Sequence, residues 1–168
     1  MTVPHALSDA DPAPPVMIET HTSVLIERPV AEVYRYVAEE FFTNYPKWSP
    51  EVTRLEQTTT GPMRVGTAGL QVRCDAGYTA ESRFRVTALV PLRELRFESL
   101  GKPHFCVQYR FEAIGNATRL GFRFELKPTL LLTPLRGLIR RTVTDGGQRV
   151  VANLKSLLES DSATAKRS

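Results

Sequence analysis

The sequence predicts an α+β fold: a curved, seven-stranded antiparallel sheet wrapped on a long C-terminal helix, with two short helices after the first strand. Three observations predict it. From Leu70 to Lys127 apolar and polar residues alternate with period two, interrupted by turn residues at hairpin spacing. Behind Pro134, apolar residues recur every three or four positions for about 25 residues. Between these segments and an N-terminal strand pattern lies a short helical pattern opened by Pro29.

Taken in order, Ile18, Thr20, Thr22, Val24 and Ile26 share one face of the first strand. Pro29 suits the first turn of a helix through Val30, Val33, Tyr34 and Val37. A second helix is expected over Phe41–Tyr45, stopped by Pro46, and a strand over Val52–Thr58. A two-residue turn at Gly115-Asn116 sets Phe111 opposite Leu120, Tyr109 opposite Phe122 and Val107 opposite Phe124. A three-residue loop Asp75-Ala76-Gly77 pairs Cys74 with Tyr78, Val72 with Ala80 and Leu70 with Ser82. A loop at Gly101-Lys102-Pro103 pairs Ser99 with Phe105 and Phe97 with Val107. A slip of one residue would exchange the two faces of a strand, so these registers are meant to support one another. Thr133 and Pro134 are good N-cap and first residues for the last helix, whose Gly146-Gly147 pair costs about 1 kcal/mol per glycine. Such a cost points to a kink or to a close approach.

The chain has 168 residues, 42% hydrophobic and 24% charged, with a net charge of +4. This is one domain with an ordinary core. The proline-rich segment 1–16 reads as a disordered leader, 17–158 as the folded domain and 159–168 as a disordered tail. The leader lacks the basic and apolar blocks of a signal peptide, and Cys74 and Cys106 have no framework or metal spacing. A cytoplasmic protein is expected. Basic residues alternate with acids, so no nucleic-acid partner is expected.

The stretches Ile26-Glu-Arg-Pro-Val-Ala-Glu-Val-Tyr34, Tyr45-Pro-Lys-Trp-Ser-Pro50 and Gly61-Pro-Met-Arg-Val-Gly-Thr67 resemble the START-like (SRPBCC) superfamily, in particular its polyketide cyclase/dehydrase-like branch. The resemblance covers essentially all of 17–158 and implies a helix-grip fold. It also implies a hydrophobic ligand (a lipid, sterol, polyketide, quinone or plant hormone) held between sheet and helix, with cyclisation or dehydration in some members.

The residues themselves point to an apolar pocket. The expected lining is Trp48, Val72, Tyr78, Ser82, Phe84, Phe97, Tyr109, Phe111, Phe122 and Phe124 from the segments before the last helix, with Leu138, Ile139, Val143, Gly146 and Val150 from that helix. Large aromatics on such a face also serve simply as core. Catalytic candidates are weak: Tyr78 and Tyr109 are the inward tyrosines able to donate a proton. His5, His21 and His104 do not converge, no metal or cofactor is expected, and Arg73, Arg83, Arg85 and Arg110 fall outward by parity. Lys127, Arg136, Arg140 and Arg141 around Leu130–Leu132 form either a solvated helix side or an edge in transient contact with membranes. Carrier, polyketide cyclase and partner-binding domain all remain open, the carrier leading.

Overall fold

A computed structural model describes residues 16–129 and 134–165. Strand β1 (Ile18–Ile26) leads into α1 (Val30–Tyr34), a π-helical turn (Arg35–Glu39) and α2 (Phe41–Trp48). Then come β2 (Val52–Gln57), β3 (Ala68–Asp75), β4 (Tyr78–Val90), β5 (Glu94–Ser99), β6 (His104–Ile114), β7 (Ala117–Lys127) and α3 (Arg136–Ala165). The seven strands form one antiparallel sheet in the order β1-β7-β6-β5-β4-β3-β2. The expected architecture is therefore the observed one.

Alternation sets the faces. Ile18, Thr20 and Ile26 are buried on the concave side of β1, while Glu19 and His21 face outward beside Arg123 and Arg110. The β6–β7 register is the predicted one, Phe111 with Leu120, Tyr109 with Phe122 and Val107 with Phe124. Phe97 pairs with Val107 as expected. The core closes where α1 and α2 cover the concave face: Val33, Val37, Phe41, Trp48, Phe84, Phe97 and Tyr109 have no exposed surface.

Pro46 does not stop α2, which continues to Trp48. Proline in the last turn forfeits one bond to the carbonyl four residues back. Burial of Trp48, whose carbonyl accepts from Asn153 Nδ2 at 3.0 Å, offsets that loss. Helix α3 starts after a single tight turn at Pro134-Leu135 and runs to Ala165, past the expected end at Leu158. Its helical span replaces most of the tail expected from residue 159. Residues 1–15, which hold most of the expected leader and His5, the Leu130–Thr133 segment and residues 166–168 lie outside the described residues.

Helix α3 lies along β1, touching β7 and α2. Gly147 explains one of the two costly glycines: a Cβ there would come within 3.1 Å of Thr20 Cγ2 and 3.4 Å of Phe122 Cε1. The helix approaches the sheet closely because that residue has no side chain. Gly146 is different, since a Cβ there would meet nothing nearer than Arg149 Nη2 at 3.9 Å.

Candidate functional site

The turn between β3 and β4 decides which side chains of β3 stand on the concave face of the sheet. It has two residues rather than three: Asp75 pairs with Tyr78 across Ala76 (φ +50°) and Gly77 (φ +82°). Both central residues take the left-handed conformation of a primed hairpin turn. The difference of one residue turns β3 over relative to the expected register. Gly69, Gln71 and Arg73 now pair with Phe84, Ser82 and Ala80, while Leu70 and Val72 pair with Arg83 and Glu81. Val72 thus belongs to the convex face, and Arg73 to the concave one.

Arg73 is the centre of a polar cluster set against aromatic walls. Its Nη1 donates to Tyr45 Oη at 3.3 Å. Nε and Nη2 donate to the two carboxylate oxygens of Asp75, each at 3.2 Å. Three of the five guanidinium N–H groups are thereby used and two remain. Burial works against the charge, but the hydrogen-bonded Asp75 carboxylate and nearby Glu51 outweigh it and keep the guanidinium protonated. Burial pushes the Tyr45 phenol up, with Arg73 opposing, so Tyr45 is a neutral hydroxyl at neutral pH. Glu51, at the α2–β2 corner, receives Arg149 Nη2 of α3 at 3.1 Å.

Deeper in, Trp48 Nε1 donates to Tyr109 Oη at 3.2 Å. Burial holds the Tyr109 phenol well above its ordinary value, and the nearby Tyr45 adds to the shift. Gln71 is 3% exposed; its Nε2 donates to Ser82 Oγ at 3.1 Å, and its Oε1 has no partner among the described residues.

The expected lining divides into two zones. Trp48, Phe84, Phe97, Tyr109, Phe111 and Phe122 pack on one another and on Tyr34, Phe41 and Tyr45, with ring centroids 4.6–6.3 Å apart. They form the packed core beneath α1 and α2. Ser82, Phe124, Ile139, Val143, Gly146 and Val150 are half-buried, as are Ser99 and Phe105. Two residues are misplaced by the sequence reading. Tyr78 keeps the concave parity but is 75% exposed, because α3 follows β1 and leaves the β3–β4 tip uncovered. Leu138 is 65% exposed, on the side of α3 opposite the buried Gly147, Val151, Leu154 and Leu158.

Sequence reasoning missed Tyr45, Gln71 and Arg73. Their only signal was the Ala76-Gly77 pair, which admits a two-residue turn. Arg83, Arg85 and Arg110 are exposed on the convex face as predicted. Among the described residues no group of three His, Cys, Asp or Glu side chains is placed to hold a metal ion, and no helix is long and apolar enough to cross a membrane.

A family model described as polyketide cyclase / dehydrase and lipid transport matches residues 17–159. The chain belongs to that family. Several solved structures share the polyketide cyclase / dehydrase fold seen here. A protein of Thermus thermophilus, TTHA0849, is 18% identical, with 86% of this chain and 99% of that one covered and a TM-score of 0.70. The Zhui aromatase/cyclase of Streptomyces sp. R1128 is 16% identical, over 86% and 94% of the two chains, at 0.72. A START superfamily protein of Mycobacterium smegmatis is 11% identical, over 84% and 97%, at 0.71. At these identities the likeness is one of fold. No curated protein matches the chain.

Proposed function

We propose that this chain binds an apolar small molecule carrying a carbonyl, enol or carboxylate oxygen, lodged between the open half of the concave face and α3. The observation that carries the reading is Arg73, a charged guanidinium with two unused N–H groups beside the Tyr45 hydroxyl at the edge of an aromatic wall. A partly buried guanidinium with unused donors favours a ligand that accepts hydrogen bonds, and charge-assisted bonds are the stronger kind. Phe105, Phe124, Ile139, Val143 and Val150 supply the apolar border, and Gly146 leaves room where a side chain would stand.

The test is native mass spectrometry after incubation with a lipid and metabolite extract, followed by denaturation and identification of what is released. A stoichiometric adduct with an oxygenated apolar molecule is expected. A clean apo mass, repeated with a panel of fused-ring ketones and phenols, would sink the reading.

A second reading, a cyclase or dehydratase, draws on the same pair. A fixed guanidinium beside a neutral phenol polarises a carbonyl and supplies a proton to the oxygen as it gains charge. Tyr45 then takes the donor role first given to Tyr78 and Tyr109. This reading predicts that Tyr45→Phe abolishes product formation from a poly-β-ketone while ligand capture persists. Unchanged turnover in that variant would dispose of it.

A further inference from the structure

The open end of the grip has a rim unlike the rest of the surface. Ile18 pairs with Leu126, and His104 with Lys127, so Met17, Lys127 and the loop 100–103 finish at one end of the sheet. Helix α3 points its N-terminus the same way: Gly147 sits on Thr20, and Lys155 Nζ donates to Leu25 O further along β1. At about 1.5 Å per helical residue, Arg136 lies about 16 Å beyond the Thr20 level; Met17 lies about 10 Å beyond it. The first turns of α3 therefore project past the start of β1, at the end of the sheet that also carries the β3–β4 hairpin.

This rim is both apolar and cationic. Met17, Leu100, Leu135 and Leu138 are 42%, 49%, 52% and 65% exposed. Beside them Lys102, Lys127, Arg136, Arg140 and Arg141 are exposed and form no ion pair among the described residues. Segments 16–17, 100–104, 127–129 and 134–144 contain no Asp or Glu, in a chain with 18 of them. A depression of about 300 Å³ opens at this end, mainly on the convex side, where Arg96, Glu98, Cys106 and Glu125 line it, with Met17, Ser99, Phe105 and Lys127 at its border. Its two glutamates are each paired with an arginine, Glu98 with Arg96 and Glu125 with Arg123. Elsewhere on the convex face Arg123 pairs with Glu19 and Arg119 with Glu112, while Arg83, Arg85 and Arg110 stand without an ion pair among the described residues and apart from any exposed leucine or methionine cluster of this kind.

We infer that this rim docks on an anionic lipid bilayer, the leucines entering the headgroup region and the cations meeting lipid phosphates. The inference rests on the ligand-binding reading only for its purpose: the mouth of the hollow would face the membrane from which an apolar ligand is taken or to which it is given.

Sedimentation of the full chain with vesicles tests it. Binding is expected to equal parts phosphatidylcholine and phosphatidylglycerol at low salt, falling steeply as salt rises, and to be weak on pure phosphatidylcholine. Each cation is worth about 5-fold in affinity, so Arg140→Glu/Arg141→Glu should weaken binding by at least about 30-fold. Leu135→Ser/Leu138→Ser, at constant charge, should weaken it by about 10-fold or more. The convex-face control Arg83→Glu/Arg85→Glu should have little effect. No binding of the wild type to anionic vesicles, an equal loss in the control, or no loss in the leucine variant overturns the proposal. Ligand capture measured without vesicles separates the two readings: capture without docking removes only the membrane proposal, and docking without capture removes only the ligand.

Discussion

Replacing Arg73 with methionine keeps much of the apolar stem and deletes the guanidinium. The loss falls on three hydrogen bonds within the protein, one to Tyr45 Oη and two to Asp75, and on two N–H groups free for a ligand. The ion pair with Asp75 is partly solvated, with side chains 30% and 42% exposed, so its contribution to stability is about 1 kcal/mol at most. The melting temperature should fall by about 3 °C. Ligand affinity should respond more strongly. A charge-assisted hydrogen bond contributes about 1.5–3 kcal/mol, or about 10- to 150-fold in affinity. That loss should appear for an oxygenated ligand and be absent for its hydrocarbon counterpart. Titration calorimetry with 1-naphthol and naphthalene, on wild type and Arg73→Met, reads the difference directly. Equal losses for both probes would mean that Arg73 acts on shape or stability alone. No loss for either would remove it from the site.

Tyr109→Phe should destabilise the protein by about 1–3 kcal/mol in urea denaturation, because it leaves the buried Trp48 N–H without its acceptor. The folded-state value of Tyr109 is raised above the ordinary 10.0, so its contribution is fully present below pH 10 and lost as pH rises through the folded value. Wild-type stability should therefore fall above pH 10 more steeply than that of Tyr109→Phe, and parallel curves would refute the assignment. Gly146→Ala should raise stability by about 0.5–1 kcal/mol, since a Cβ finds open space and the helix gains propensity. A lower melting temperature would show that the space beside Gly146 is filled.

The β5–β6–β7 meander was legible in the sequence because every register test agreed. Gly115-Asn116 admits a two-residue turn, and with it each apolar side chain meets another, Phe111 on Leu120 and Tyr109 on Phe122. Packing of that face depends on the same alternation that reveals it. The Gly147 approach to Thr20 was legible as a cost needing a reason, though not as a contact. The β3–β4 hairpin failed the same reading for a physical reason. There Leu70, Val72 and Cys74 alternate with Gln71, Arg73 and Asp75, and the polar set is the one that faces inward. Pattern reasoning assigns polar residues to solvent, and a binding site is where that assignment reverses.

The sequence alone determined the order of elements, the strand faces over most of the sheet and the long helix that closes on it, because these follow from periodicity and turn chemistry within short segments. Tertiary structure decided the rest. Whether Ala76 joins Gly77 at positive φ is settled by the packing of Arg73 against Tyr45, a residue 28 positions away. Where α3 lies, along β1 with Leu138 outward and the Tyr78 tip uncovered, is settled by Gly147 meeting Thr20 and Phe122. Both are contacts between segments distant in the chain, and no local pattern records which of its neighbours a face will meet.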